Sequence, residues 1–496
     1  MSRLPLAALL LWIALLTSCG GGSDGGDDTP PYTPPPPGRG TVVTAAAAVP
    51  VTLPDGSRVQ TVTAAQLAAL MSDEVEAVTG EPRCSVTMWS VRYRTAAPRD
   101  ALTESSAAIM VPGGTNTACS GTRPVLVYAH GTALDKRATM WDVATTEVQL
   151  VAAMFAAQGY IVVAPNYQGY EGSTLDYHPY VDEQLQGADM VDALRAARAS
   201  FAAVGANPSS RLFVTGYSQG GHVALAAQKA MQALPAEFTV TAVAGLSGPY
   251  ALVRFADQAM AGYLTRDITI FLPMVTTAGQ RAGAGIYAAP GDLYEARYAP
   301  TIENLLPSLL SGEELVGQGK LPASAMFARD SQPQPQGPNA FFGDNPLVRT
   351  SYRNAYLADV AARPCAGDPQ ACAPENGLRK WLARNDLRRY RPASPLLLCG
   401  GNEDPTVPFF NSTAASEYYT AQGSAPTLLD LDGDPFSNDG WRSQRLGFAA
   451  AKQSVQLEAQ EDGEDPDVAV AERYHRLLVA PFCLSAARQF FNDRLP

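Results

Sequence analysis

A serine between glycines is the clearest candidate for chemistry in this sequence. Ser218 lies in TGYSQGGH and matches the pattern G-x-S-x-G, with Gly216 two positions before it and Gly220 two positions after it. The apolar run RLFVTGY precedes the serine, and an alanine-rich, helix-forming segment follows it. A sharp turn from a strand into a helix requires small residues at those positions and presents the serine above the sheet. The sequence therefore predicts that Ser218 is a nucleophile.

The base that would activate this serine must be one of four histidines, at positions 130, 178, 222 and 475. A serine hydroxyl becomes nucleophilic beside a base, and the base needs an acid that orients it. His222 falls one turn into the predicted helix, where its side chain would be directed into the packing. We therefore predict a structural role for His222, keep His178 as a candidate pocket residue, and predict that His475 is the base.

The acid is expected in the loop GNEDPTVP, which directly follows the apolar run LLLCG. Asp404 in this loop gives the chain order serine, acid, histidine, which is the order of one particular fold. We predict that Asp404 is the orienting acid, with the neighbouring Glu403 as an alternative. Weaker alternatives follow the next apolar run: Asp430, Asp432 and Asp434.

The segments around these residues predict an α/β fold, a mostly parallel central sheet flanked by helices. Continuous apolar runs such as PVLVYA, GYIVVAP and TVTAVAGL alternate with helix-like segments such as EVQLVAAMFAAQ. Buried parallel strands have this composition, and the strand–helix–strand repeat indicates βαβ units. Before the repeat, CSVTMWSVRYRT and SSAAIMVP predict an antiparallel pair of strands. A T-x-x-Q capping box that begins at Thr63 predicts one helix over residues 63–78.

The alternation stops between residues 251 and 393, where helical pieces and prolines occur without strand patterning, and it resumes afterwards. We predict a catalytic domain over residues 41–250 and 394–496, with residues 251–393 inserted as a helical cap. Ligands of such sheets bind beyond the carboxyl ends of the strands, so we expect the cap to cover the site. An appendage remote from the site is the alternative.

The overall composition is that of a globular protein: 496 residues, 46% of them hydrophobic, with a net charge of −12. This length suffices for one large domain with insertions or for two domains. The acidic balance argues against a nucleic-acid partner, because phosphates attract basic surfaces.

The motifs HGT, GYSQGG and GNEDPTVP, together with the late His475, resemble the α/β-hydrolase superfamily over roughly residues 84–496. Among its subgroups the chain looks most like secreted bacterial esterases and lipases of the secretory-lipase type. The resemblance implies a catalytic triad in which Ser218 is the nucleophile, His475 the general base and acid, and Asp404 the orienting acid.

The same resemblance implies an oxyanion hole formed by the backbone N–H groups of Gln219 and Thr132, and a structural role for the ring of His130. It implies no metal and no organic cofactor. The expected function is hydrolysis of a carboxylic ester, small or polymeric, through an acyl-enzyme. A serine peptidase and a polyester depolymerase on the same fold remain alternatives. A non-catalytic binding protein is disfavoured, because no triad residue is lost.

One stretch departs from the superfamily pattern, in which the histidine usually follows soon after the last strand. Residues 433–474 separate TLLDLD from His475 and include the acidic run EAQEDGEDPD. We expect this run to be a solvated surface loop, with a calcium site as the alternative.

Six cysteines remain when Cys19, which belongs to the predicted export signal, is set aside. An even number of cysteines in an exported chain predicts disulfides. The predicted pairs are Cys84–Cys119, Cys365–Cys372 and Cys399–Cys483. The third pair would tie the acid-bearing end of a strand to the segment after His475.

The N-terminus has the features of that export signal. Arg3 precedes the apolar run LPLAALLLWIALL, which is too short to span a bilayer comfortably. LTSC at residues 16–19 resembles a bacterial lipobox, which implies a signal peptide over residues 1–18 and lipidation of Cys19. Gly20 after the cysteine suggests the outer membrane. Residues 19–40, rich in glycine and proline, are expected to tether the domain to the membrane.

Overall fold

A large mixed β-sheet forms the centre of the computed structural model, which describes residues 38–71, 73–335, 339–365, 368–369 and 371–496. The strands are β1 (Val42–Ala48), β2 (Val51–Thr52), β3 (Arg58–Val59), β4 (Thr61–Val62), β5 (Ser85–Ala96), β6 (Leu102–Gly113), β7 (Arg123–Ala129), β8 (Ile161–Pro165), β9 (Pro208–Tyr217), β10 (Ala242–Leu246), β11 (Phe327–Ala328), β12 (Phe342–Gly343), β13 (Leu396–Gly400) and β14 (Thr427–Asp430).

The helices of the described residues flank this sheet or belong to the segment inserted between β10 and β13. They are α1 (Ala64–Leu70), α2 (Asp73–Thr79), α3 (Thr146–Met154), α4 (Glu183–Ser200), α5 (Gln219–Gln232), α6 (Leu252–Met260), α7 (Ile268–Arg281), α8 (Pro290–Leu293), α9 (Gly312–Gly317), α10 (Thr350–Ala362), α11 (Gly377–Asn385), α12 (Phe410–Ala421), α13 (Arg442–Asp462), α14 (Pro466–Arg473) and α15 (Ala480–Asn492). Short 3₁₀-helices occur at Pro98–Asp100, Ala156–Gln158 and Ile302–Asn304, and a π-helix spans Tyr474–Val479.

The strand order in the main sheet is β1-β5-β6-β8-β7-β9-β10-β13-β14, and β4 also pairs with β5. The six strands from β8 to β14 in this order run parallel, whereas β1, β5 and β6 pair antiparallel. The predicted antiparallel pair and the predicted α/β class are therefore both confirmed.

Two apolar cores lie on opposite faces of the sheet, because successive side chains of a strand point to opposite faces. In β7, Leu126 and Tyr128 pack into the core shared with α3 and α15, whereas Val125 and Val127 pack into the core shared with α4 and α5. A strand buried on both faces needs apolar residues at every position, which explains the continuous apolar runs.

The inserted segment lies between two neighbouring strands, because β10 and β13 pair in parallel register from Val243–Leu396 to Leu246–Cys399. It contains α6 to α11 and has an apolar core of its own. The fully buried Arg379 bonds Asp257 at 2.9 Å and Asp359 at 2.8 Å within this segment. We call residues 251–393 the cap.

Two local expectations were wrong. The capping box at Thr63 is present, but the chain turns at Met71 and forms two short helices, α1 and α2, instead of one. The acidic run lies mostly on helices, at the end of α13 and the start of α14, with Gly463 in the left-handed conformation between them. Most of its residues are exposed, so the run is solvated without being a loop.

The three cysteine pairs are bonded as Cys84–Cys119, Cys365–Cys372 and Cys399–Cys483. The signal peptide, Cys19 and residues 20–37 of the tether lie outside the described residues. Within the described ranges, no helix combines the length and apolar character needed to cross a membrane.

Candidate active site

Ser218 occupies the sharp turn between β9 and α5 and has a positive φ of 58°. Its N–H donates to the Leu246 carbonyl at 2.8 Å, which anchors the turn on the neighbouring strand. A Cβ at Gly216 would overlap the carbonyl oxygens of Gly220 and Ala129, and a Cβ at Gly220 would overlap the same Ala129 oxygen. The two glycines are therefore required by close backbone approach, as the sequence pattern predicts.

A chain of short hydrogen bonds joins the three residues expected to form a triad. His475 Nε2 lies 2.8 Å from Ser218 Oγ, and His475 Nδ1 lies 2.7 Å from Asp404 Oδ2. All three side chains are buried. Because a carboxylate only accepts, Nδ1 carries the proton and Nε2 is left to accept the serine hydroxyl.

Asp404 is held by bonds to both of its oxygens. Oδ1 accepts the N–H groups of Thr406 at 2.9 Å and Val407 at 3.0 Å, and Oδ2 also accepts the Ser247 hydroxyl at 3.2 Å. These bonds fix the carboxylate so that Oδ2 faces His475. Ser247 cannot be predicted from the sequence. Its contact with Asp404 forms only when the ends of two strands that are far apart in sequence meet in the fold.

The alternative acids have other partners. Glu403 and Asp432 both form ion pairs with Lys452, at 2.6 and 2.8 Å. Asp430 accepts the backbone N–H of Asn402 at 3.0 Å. Asp434 accepts the N–H of Phe436 at 2.9 Å.

His475 lies on the π-helix Tyr474–Val479, between α14 and α15. The Tyr217 hydroxyl donates to the His475 carbonyl and lies 3.4 Å from its Nδ1. Single π-turns are rare and frequently occur at functional sites. The disulfide Cys399–Cys483 links the end of β13, which precedes the acid loop, to α15, which follows the π-helix.

The other three histidines have hydrogen-bond partners other than Ser218. His222 Nε2 donates to the Asn385 carbonyl at 3.0 Å, and burial lowers its pKa to about 4, so the ring is neutral inside the fold. His130 Nδ1 lies 2.6 Å from the Gly131 carbonyl, and its ring stacks on Tyr167. His178 bonds the side chain of Gln219 instead of the serine.

The two expected oxyanion donors come from two separate parts of the chain near the serine. Gln219 is the first residue of α5, and its N–H points out of the helix N-terminus, where the first amides have no helical acceptor. A Cβ at Gly131, the residue before Thr132, would lie 3.7 Å from Ser218 Cβ. In the described part of the chain, neither N–H has a hydrogen-bond partner.

An apolar cavity of about 90 Å³ lies between Ser218 and the cap. Helices α6 and α7 supply half of the residues that line it, and Gln219 and Tyr180 line it together with the serine. Its cap residues include Leu252, Phe255, Met260, Phe271, Leu272 and Val275. No Asp, Glu, Lys or Arg of the described chain lines this cavity. The described residues also contain no group of three His, Cys, Asp or Glu side chains placed to hold a metal ion.

Comparison with known proteins identifies the architecture. The prolyl oligopeptidase family (Peptidase_S9) model matches residues 146–244, which include the serine turn. A structure of the rice cell wall degrading esterase LipA from Xanthomonas oryzae is 25% identical, with a TM-score of 0.64 over 89% of this chain and 99% of that one. A ligand-bound form of LipA gives 23% identity and a TM-score of 0.69 over 93% and 100%.

A hydrolase described as putative, from Legionella pneumophila, is 16% identical, with a TM-score of 0.64 over 91% of this chain and 97% of that chain. Among curated proteins, none matches the sequence. The chain has the α/β-hydrolase fold, and its site is of the serine-hydrolase type.

Proposed function

We propose that the protein cleaves carboxylic esters through an acyl-enzyme intermediate. The observation that carries the proposal is the unbroken hydrogen-bond chain from Ser218 through His475 to Asp404. A base bonded to the hydroxyl, and a buried carboxylate bonded to the base, are the arrangement that activates a serine.

In the first half-reaction, Ser218 Oγ attacks the ester carbonyl carbon while His475 Nε2 takes the hydroxyl proton. His475 then gives this proton to the departing alkoxide, so the alcohol leaves and the acyl group remains on Ser218. In the second half-reaction, His475 takes a proton from water, and the hydroxide attacks the acyl carbon. The acid leaves as His475 returns the proton to Ser218, while Asp404 keeps the imidazole in the required tautomer.

The negative charge that develops on the carbonyl oxygen needs donors that are already in place. We assign this role to the backbone N–H groups of Gln219 and Thr132. Loss of one such donor typically lowers kcat by about 10²- to 10³-fold, so their positioning contributes substantially to turnover.

The cavity favours an ester with an apolar acyl group. Apart from Ser218, Gln219 and Tyr180, the residues that line it are apolar, and none of the lining residues presents a charge to a substrate. LipA, whose structure this chain resembles, is an esterase, which agrees with this choice.

A serine peptidase is the second candidate, because the prolyl oligopeptidase family model matches the segment around the serine. A peptidase that removes N-terminal residues needs an acidic side chain for the substrate amine, and none of the described residues that line the cavity is acidic. A polyester depolymerase would need an open groove, whereas the cap lies over Ser218.

Two experiments test this proposal. A fluorophosphonate probe should label the wild type and not Ser218→Ala; equal labelling of both, or of neither, would overturn a serine hydrolase. Hydrolysis of p-nitrophenyl esters should then exceed hydrolysis of aminoacyl p-nitroanilides. The reverse preference would assign a peptidase.

We also propose that the protein is exported and anchored to the outer membrane through a lipid on Cys19. The lipobox LTSC and the Gly/Pro-rich segment after it support this localisation. The mature protein should have the mass of a chain that begins at Cys19 with acyl groups. A free, unmodified N-terminus would contradict the proposal.

A further inference from the structure

We propose that the segment 167–180, which follows β8, positions both donors of the oxyanion hole, with His178 as the positioning residue at its centre. This inference rests on the proposed function. Side chains of the segment bond the two separate parts of the chain that carry the N–H groups of Thr132 and Gln219.

The first donor lies within a stretch that three tyrosine hydroxyls hold. The bonds are Tyr167 Oη to the His130 carbonyl at 3.0 Å, Tyr180 Oη with Thr132 Oγ1 at 2.8 Å, and Tyr170 Oη to the Ala133 carbonyl at 2.7 Å. These bonds fix the backbone before and after Thr132 as well as its side chain. The N–H of Thr132 therefore has little freedom to turn away from the serine.

The second donor is held through the side chain of Gln219, which is bonded to His178. The hydrogen-bond partners of His178 show which of its ring nitrogens carries the proton. His178 Nδ1 lies 2.8 Å from the Gln168 carbonyl, which can only accept, so Nδ1 carries a proton. Burial lowers the pKa of His178 to about 3, so the ring is neutral and its Nε2 accepts. The Gln219 amide nitrogen lies 2.5 Å from this Nε2 and donates to it.

His178 also packs against the tyrosines that hold the first donor. Its ring centroid lies 5.6 Å from that of Tyr167, 4.9 Å from Tyr170 and 5.9 Å from Tyr180. One buried ring thus connects the two halves of the oxyanion hole. Donors stabilise a transition state because they are held in place before the charge develops. Loosening them should therefore lower kcat more than it changes KM.

The test uses Gln219→Leu, which keeps the backbone N–H but removes the amide that His178 holds, and His178→Phe, which keeps a ring without ring nitrogens. We expect kcat per active site to fall about 10- to 100-fold in both variants, with KM changed less than about twofold. Active sites are counted by stoichiometric fluorophosphonate labelling, so misfolded protein does not enter the rate. The inhibition constant of a trifluoromethyl ketone, whose serine adduct carries an oxyanion, should rise by a similar factor.

Tyr177→Phe is the matched control, because Tyr177 is buried in the same segment and its hydroxyl has no hydrogen-bond partner among the described residues. This variant should retain the wild-type kcat. An unchanged kcat and inhibition constant in Gln219→Leu would overturn the positioning role, even if His178→Phe failed to fold. Absence of labelling or ester hydrolysis in the wild type would instead overturn the proposed function.

Discussion

At the scale of single residues, some functional residues of the site can be predicted from the sequence and others cannot. Gly216 and Gly220 identify Ser218 because the turn between strand and helix leaves no room for a Cβ at either position. Tyr217 and Ser247 were not found, because their roles arise from contacts with His475 and Asp404 across long stretches of chain. A local pattern carries no signal for such contacts.

Tyr217→Phe should lower kcat by about tenfold with little effect on KM. The substitution removes the hydroxyl that bonds the His475 carbonyl, and a buried hydrogen bond contributes about 1 kcal/mol. Steady-state kinetics on a p-nitrophenyl ester measures both constants. An unchanged kcat would show that the π-helix holds His475 without this bond.

His475→Ala and His222→Ala should separate catalysis from folding. Loss of the base should lower kcat by about 10⁴-fold or more, while the melting temperature changes little. His222→Ala leaves a cavity and an unpaired Asn385 carbonyl, so it should lower stability by about 1–3 kcal/mol and keep most of the kcat. If His222→Ala lost its kcat and His475→Ala lost only stability, the assignment of His475 as the base would be wrong.

At the scale of elements, strands were easier to predict than the connections between them. A strand buried on both faces shows a continuous apolar run, whereas the π-helix Tyr474–Val479 differs from an α-helix only in register and has no composition of its own. The acidic run was expected to be a loop because of its charge. It forms helix ends instead, because α13 packs an apolar face that includes Phe448, Val455 and Ala459 against the core.

Removal of the Cys399–Cys483 disulfide should affect both stability and turnover. By the chain-entropy model, a bond that closes 84 residues contributes about 4.6 kcal/mol, and this bond also joins the elements that carry Asp404 and His475. The double variant Cys399→Ala/Cys483→Ala should unfold at lower denaturant and have a lower kcat per labelled site. The matched control is Cys84→Ala/Cys119→Ala, which should lose stability but keep its kcat; equal losses of kcat would contradict the positioning role.

Asp189 lies on α4, where it accepts the hydroxyl of Tyr93 on β5. Its buried carboxyl should make the stability of the fold depend on pH. Burial raises the pKa of this carboxyl to about 7, so the folded state keeps a proton that an unfolded chain releases near pH 4. The group therefore favours folding below about pH 4, and this contribution is lost as the pH rises towards 7. Asp189→Asn cannot ionise and keeps an acceptor for the Tyr93 hydroxyl.

The melting temperature of Asp189→Asn should accordingly change less between pH 5 and pH 8 than that of the wild type. At pH 8 the variant should be the more stable of the two. An identical pH dependence in both proteins would show that Asp189 ionises in the fold at no cost.

At the scale of the whole molecule, the cap is built into the fold between two paired strands. The interruption of the strand–helix alternation predicts an insertion at this point, and the segment that contains α6 to α11 lies between the paired strands β10 and β13. Its internal structure did not follow, because its core forms from short helices and loops without a regular period. The residues that line the cavity, Phe271 among them, are defined only by this packing.

Phe271→Ala should shift the chain-length preference towards longer esters, because it removes a ring from the wall of the cavity beside Tyr180. The ratio of kcat/KM for p-nitrophenyl octanoate to that for the butyrate should rise several-fold. Phe341→Ala is the control, because Phe341 is a cap residue that lines a different cavity. A ratio that is unchanged in Phe271→Ala, or raised equally in both, would show that this wall does not select the acyl group.

The most direct test of the proposed mechanism is to locate the acyl group in the acyl-enzyme. The protein is mixed with a short-chain p-nitrophenyl ester, quenched in acid within the first turnovers, and digested for peptide mass mapping. We expect one acyl group, located on Ser218, which accumulates in the wild type and is absent from Ser218→Ala. Ester hydrolysis with the acyl group on another residue, or undiminished in Ser218→Ala, would contradict it.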